Sequence, residues 1–123
     1  MRKGTVDMKR ILLITLLSLL LSGTANATSG TALLEQCSAN TATGVGAVKM
    51  SSCIGYISGV IDTLKMDTAR GHIENTLCIP KGVGIVPLRD VAIRLINNAP
   101  EYQNYTASVL VMAALNSEFP CPK

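Results

Sequence analysis

The sequence predicts an all-α fold, a small bundle of about four helices that two disulfides hold together. Apolar residues recur at three- and four-residue intervals in four segments, which is the spacing of helices packed on a core. The β-branched stretch 79–86 is interrupted by proline and glycine, so we expect an extended connector there and not a strand. All four cysteines follow an N-terminal export-type segment, and an even number in a small exported domain predicts two disulfides.

The N-terminal segment has the order of a secretory signal peptide. Basic residues occupy positions 2, 3, 9 and 10, an uncharged and largely apolar run covers 11–21, and Ala25-Asn26-Ala27 follows as a small-x-small cleavage site. The run is too short for the roughly 20 residues of a membrane-spanning helix. We therefore expect a signal peptide over 1–27, cleavage after Ala27, and one exported domain over 28–123 with no membrane anchor. Met1 and Met8 are both compatible with a basic start, so the first residue stays open.

The charge of the predicted mature domain argues against nucleic acid as a partner. Four of the 11 Lys and Arg and one of the 8 Asp and Glu precede residue 28, so seven of each remain and the net charge is near zero. A basic stripe for phosphates is thus missing from the sequence. With no Trp, one Phe and three Tyr, the chain also lacks the aromatic platforms on which single strands stack.

Four helical segments follow from the apolar spacing, over about 31–40, 47–69, 87–99 and 106–119, with a loop of small residues at 41–46. Pro87 suits a first helical turn, and Pro100 disfavours a helical residue before it. The fourth segment is apolar on almost every side. Such a helix packs against its own core and a partner subunit, or lies at the centre of a monomer, and both readings remain open.

The helix order predicts the disulfide pairing. The first two helices form one hairpin and the last two another, which favours the pairs Cys37–Cys53 and Cys78–Cys121 over the two other connectivities. A zinc site is the rival interpretation, but it needs closely spaced ligand pairs that these cysteines do not form. No cofactor is expected.

Residues suited to catalysis are sparse in the sequence. His72 is the one histidine and lies in a predicted exposed connection, where a solvated side chain or a partner contact is expected. Asp62, beside an apolar helix face, is interpreted as a carboxylate that accepts hydrogen bonds from a neighbouring element, with a catalytic or binding role as the alternative. Gly55 and Gly59 are four residues apart, and we expect them to let another helix approach closely.

Two of the three tyrosines, Tyr102 and Tyr105, lie in a polar connector between the third and fourth helices. Exposed tyrosines are typical of interface hot spots. The alternative is that their rings fold back onto the helix ends.

The mature chain resembles the periplasmic immunity proteins against type VI secretion amidases, the Tai/Rap immunity group. The similarity rests on an ordered set of elements: the opening helix Leu33-Leu34-Glu35-Gln36-Cys37, the central segment from Cys53 through Gly55-Tyr56 and Gly59 to Asp62, the turn Cys78-Ile79-Pro80 with Leu88-Arg89-Asp90-Val91, and the closing Phe119-Pro120-Cys121. It spans nearly all of residues 33–122. The connection 67–76 has no family signature.

The resemblance implies a periplasmic, non-enzymatic helical protein, often a homodimer, that binds a peptidoglycan amidase effector and blocks its active site. By analogy, the candidate partner-binding residues are Arg70, His72 and Glu74 in one connection and Tyr102, Gln103, Asn104 and Tyr105 in the other. The competing hypothesis is a small periplasmic chaperone or stress protein, and a hydrolase is the least supported.

Overall fold

The computed structural model describes residues 8, 9 and 26–123. The prediction of an all-α bundle is confirmed, and no strand longer than a single bridge occurs between residues 26 and 123. The helices are α1 Gly30–Cys37, α2 Gly44–Ala69, α3 Ile85–Asn98 and α4 Ala107–Glu118, with a short 3-10 helix at Pro100–Tyr102. Most of the predicted signal segment lies outside the described residues, so its cleavage stays a prediction.

Helix α1 begins at Gly30, three residues after Ala27 at the predicted cleavage site. The Ser29 hydroxyl caps it by accepting from the Ala32 amide at 3.2 Å. The Ala107 amide donates to the Thr28 carbonyl at 2.7 Å, and the Gly30 amide donates to the Tyr105 carbonyl at 3.0 Å. The first residues of the domain are thereby fixed to the start of α4.

Helix α2 begins earlier than the sequence predicts, because Gly44 and Gly46 belong to its first turn and not to the preceding loop. The Thr43 hydroxyl accepts from the Gly46 amide at 3.0 Å and also donates to the Asn40 carbonyl at 3.1 Å. This side-chain cap compensates for the low helix propensity of the two glycines. The hairpin between α1 and α2 is correspondingly tight.

Helices α3 and α4 form the second hairpin. As expected, Pro87 lies in the first turn of α3, and α3 ends at Asn98, two residues before Pro100. Thr106 precedes α4, whose bounds agree with the prediction to one residue. The core is formed by one face of each helix, with the fully buried large side chains Leu33, Cys53, Ile57, Ile96, Val111 and Leu115.

Both disulfides have the predicted pairing, and they differ in exposure. Cys53 is 0% and Cys37 7% exposed, so this bridge belongs to the core. Cys78 is exposed and Cys121 half-buried. Around the second bridge, the Cys78 amide donates to the Phe119 carbonyl at 2.9 Å and the Cys121 amide donates to the Thr76 carbonyl at 3.2 Å. The C-terminal segment is thereby fixed to the connection between α2 and α3.

One surface ion pair joins α1 to α2. Lys49 donates a hydrogen bond to Glu35, and that bond together with the Lys49 charge lowers the pKa of the Glu35 carboxyl. A carboxyl pKa lowered by folding stabilises the folded state above its unfolded value of about 4.3, and the contribution is lost as the pH falls through the folded pKa. The Glu35 side chain is 70% exposed, so solvent screens this contribution.

Candidate functional site

The connection after α2 carries an exposed loop, residues 70–74, which we call the α2–α3 loop. Arg70 caps α2 by donating its amide to the Met66 carbonyl, and Gly71 then takes a positive φ of 71° that a glycine adopts without strain. The His72 amide donates back to the Asp67 carbonyl at 2.9 Å. All of residues 70–76 are exposed, which confirms the expectation of a solvated connection.

The side chains of the α2–α3 loop make few contacts with the rest of the protein. His72 Nδ1 lies 3.7 Å from Asp67 Oδ1, and the His72 side chain is 63% exposed. Arg70 and Glu74 have no ion pair or side-chain hydrogen bond within residues 26–123. Ile73 is 41% exposed although it is aliphatic. The loop therefore presents a cation, an anion and an apolar side chain that are all available to a partner.

The second predicted contact region, residues 102–105, is built differently. The rings of Tyr102 and Tyr105 meet edge to face with centroids 5.5 Å apart, and both tyrosines are exposed. Gln103 is half-buried: its side-chain amide donates to the Ile96 carbonyl at 3.1 Å, and its own carbonyl accepts from the Thr31 amide at 2.9 Å. Asn104 is exposed. Gln103 thus fixes this turn to α1 and α3 while the tyrosines face solvent.

The structure does not bring the two predicted contact regions into one site. No hydrogen bond, ion pair or ring contact joins residues 70–74 to residues 102–105 in the described part of the chain. Each region therefore has to be considered as a separate surface.

Two expectations about α2 are not met within the described part of this chain. Asp62 is exposed and has no hydrogen-bond partner among the described residues, because it lies on the side of α2 that no other helix covers. Gly55 and Gly59 do not admit another helix of the same chain, since a Cβ added at either position meets nothing within 4 Å. These residues belong to an open face.

We call this open face the outer face of α2 and define it by Val45, Val48, Ser52, Gly55, Gly59, Asp62 and Met66. Val45 is 72%, Val48 66% and Met66 44% exposed. Helix α2 is long and apolar enough to span a membrane by length and composition alone. Its opposite face, however, buries Cys53, Ile57 and Ile61 in the core of the bundle. The apolar character of α2 is therefore shared between a packed and an uncovered face.

An open groove of about 540 Å³ lies beside the α2–α3 loop, between the end of α2 and the connector that follows. Ala69 and Asn75, which line it, are the residues immediately before and after the loop. We call it the basal groove. Its apolar lining comes from Leu64, Leu77, Ile79, Pro80, Val83 and Leu88, and its charged lining residues are Lys65 and Lys81.

Residues 26–123 hold neither a cluster of metal ligands nor a free thiol. No group of three His, Cys, Asp or Glu side chains there is placed to hold a metal ion. All four cysteines are in disulfides, so none is a free nucleophile. The exposed surfaces described above are suited to contact with another molecule.

Comparison with protein families identifies the family of the chain. Residues 29–121 match the family model described as Rap1a immunity proteins. Comparisons with curated proteins and with solved structures found no significant match. The match begins at the residue that caps α1 and ends at the last cysteine, so it covers all four helices and both disulfides. The chain belongs to the Rap1a immunity protein family, which implies that it binds an effector partner.

Proposed function

We propose that the protein acts in the periplasm, where it binds and blocks a peptidoglycan amidase delivered by a type VI secretion system. Family membership supports an immunity role. The amidase target is supported by the sequence resemblance, and the periplasmic location by the order of charges and apolar residues over 1–27. The single observation that carries a blocking mechanism is the exposed α2–α3 loop on a disulfide-bonded bundle.

Inhibition of this kind requires a surface that is complementary to the active site of the enzyme, and it requires no covalent chemistry from the inhibitor. In the proposed complex the α2–α3 loop enters the substrate cleft of the amidase, with Ile73 as the apolar anchor and Arg70 and Glu74 as charged contacts. Neither charge forms an ion pair within the described residues that binding would have to break. The turn at Gly71 and the nearby Cys78–Cys121 bridge limit the conformations that the loop must lose, which favours affinity.

The turn at residues 102–105 is the less suitable element for insertion into a cleft. Gln103 is bonded to α1 on one side and α3 on the other, which holds the turn against the bundle. Tyr102 and Tyr105 are suited to a flat contact at the edge of an interface.

A substitution in the α2–α3 loop tests this proposal. Ile73→Asp is expected to weaken the complex with the amidase by about 100-fold or more, because a buried apolar anchor becomes a desolvated charge. The matched control is Val109→Asp, since Val109 is exposed to a similar degree (49%) on α4. Binding is measured by calorimetry with the amidase encoded by the neighbouring gene, and inhibition by its hydrolysis of peptidoglycan.

The same variants are then tested in cells. The full chain is expected to protect cells against amidase targeted to the periplasm, and a chain lacking residues 1–27 is not. If the full chain gives no protection and forms no complex, the immunity proposal is wrong. Binding to many unfolded proteins instead would favour the chaperone hypothesis.

We also propose that the protein is a homodimer formed through the outer face of α2. In an antiparallel pair centred on residue 57, Gly55 lies opposite Gly59 of the second copy, and Val48 lies opposite Met66. Ser52 then faces Asp62, so a hydroxyl donor meets a carboxylate that has no partner among the described residues of its own chain. The support is the spacing of the face from Val48 to Met66, which is the same in both directions. Small residues at its centre permit close approach of two helices.

Gly59→Arg is the direct test of the homodimer. The monomer has open space at this position, so the substitution is expected to leave the fold intact and to convert a dimer into a monomer. Ala47→Arg, on the same helix but outside the outer face, is the control and should remain dimeric. Mass is measured by light scattering during size-exclusion chromatography at high micromolar concentration. A wild-type monomer under these conditions contradicts the proposal.

A further inference from the structure

We infer that the basal groove is a second contact with the effector, and that it receives an acidic segment carrying an apolar side chain. This inference rests on the proposed function, since the partner that takes the α2–α3 loop is the same molecule. The inference adds a second contact surface beside that loop and specifies the chemistry of the partner segment that binds there.

The position of the groove links it to the loop. Ala69 and Asn75 line the groove and are joined in sequence to the two ends of residues 70–74. A partner that encloses the loop must therefore also lie over the groove. At about 540 Å³, the groove is in the size range of sites that bury a ligand or a few side chains.

The charge around the groove is uncompensated. Lys49, Arg89 and Arg94 each pair with an acidic side chain elsewhere on the surface. Lys65 and Lys81 line the groove and have no such pair among the described residues. The groove lining contains no Asp or Glu. A partner segment with carboxylates thus meets cations that it does not have to separate from another acid.

The apolar part of the groove defines the remaining chemistry of its occupant. Leu77, Ile79 and Val83 are only partly buried by the protein itself and pack against the core from the connector side. An apolar side chain of the partner, placed between Lys65 and Lys81, would cover these three apolar residues. The occupant is therefore acidic at its edges and apolar at its centre.

The wall of the groove is fixed before any partner binds. Cys78 lies in the wall and is held by its disulfide to Cys121 and by its amide hydrogen bond to the Phe119 carbonyl. The Thr76 hydroxyl also donates to Asn116 Oδ1 at 3.0 Å, which joins the connector to α4. A preformed groove keeps the ordering cost of binding low.

The decisive experiment reverses the charge of the two lysines that line the groove. Lys65→Glu with Lys81→Glu is expected to weaken the amidase complex by about 30- to 100-fold, mainly through slower association, and to remove most of its salt dependence. The control is Lys49→Glu with Arg94→Glu, which changes the net charge equally on paired residues and should alter affinity less than about threefold. Association is followed by stopped-flow or surface plasmon resonance over a range of salt concentrations, after circular dichroism has shown that both variants fold.

A second variant tests the apolar part without changing charge. Thr68→Trp places a large side chain in the groove, and it is expected to weaken the complex about tenfold or more. If both groove variants bind as the controls do while Ile73→Asp weakens binding, the groove inference is wrong and the proposed function stands. If the wild-type protein does not bind the amidase at all, both are overturned.

Discussion

Gly46→Ala is expected to lower the free energy of unfolding by about 2–4 kcal/mol, which corresponds to a fall in Tm of roughly 10–20 °C for a domain of this size. An added Cβ would lie 1.8 Å from the Asn40 carbonyl oxygen and 2.6 Å from its carbon. Both atoms are backbone, so a side-chain rotation cannot relieve the overlap. The turn would have to move away from α2, and the cap that Thr43 makes on the Gly46 amide would break.

Gly44→Ala is the matched control for this prediction. Gly44 lies in the same first turn of α2, and a Cβ there meets nothing within 4 Å. Alanine at this position is expected to leave stability unchanged or raise it by a few tenths of a kcal/mol, because alanine favours a helix more than glycine does. Thermal and urea unfolding followed by circular dichroism measure both variants. Equal stability of the two would contradict the packing seen at Gly46.

The second large effect concerns the order in which the disulfides are reduced. A dithiol reductant under native conditions is expected to reduce Cys78–Cys121 about 100-fold faster than Cys37–Cys53. Cys78 is an exposed residue at which a thiolate can attack without unfolding of the protein, whereas the Cys37–Cys53 bridge is open to attack only after the core opens. The reduced thiols are alkylated at intervals and identified by mass spectrometry of the peptides.

Denaturing conditions provide the control for that difference. In concentrated urea the two bridges should be reduced at similar rates, because burial no longer protects either one. Equal rates in the native protein would show that α1 and α2 separate easily and that the Cys37–Cys53 bridge does not belong to a stable core.

The helices and the disulfide pairing followed from the sequence because their signals are local. Pro100 indicated the end of α3, Pro87 indicated its first turn although α3 begins two residues earlier at Ile85, and the hairpin order paired each cysteine with its neighbour in sequence. The start of α2 was placed too late because Gly44 and Gly46 are typical of loops, while the Thr43 side chain makes them helical. Thr43 three residues before Gly46 was the available signal for this N-cap.

The surfaces were harder to predict because exposure depends on which helices meet. Val48 follows the same helical spacing as the apolar residues of α2, yet it is 66% exposed. Helix α2 is apolar on several sides, and the short α1 and the other helices cover only some of them. For the same reason the sequence predicted a hydrogen-bond partner for Asp62 that the described residues do not supply. The basal groove is lined by residues of α2 and of the connector that follows it. No local sequence pattern indicates that these two segments lie side by side.

Each bridge joins cysteines that are consecutive in the sequence, and this has a consequence for biogenesis. A chain that emerges from its N-terminus presents Cys37 and Cys53 before either of the other two thiols, so an oxidase acting during emergence closes the native pairs in turn. If the chain is exported as proposed, we expect it to mature by simple oxidation, without an isomerase to reshuffle wrong pairs.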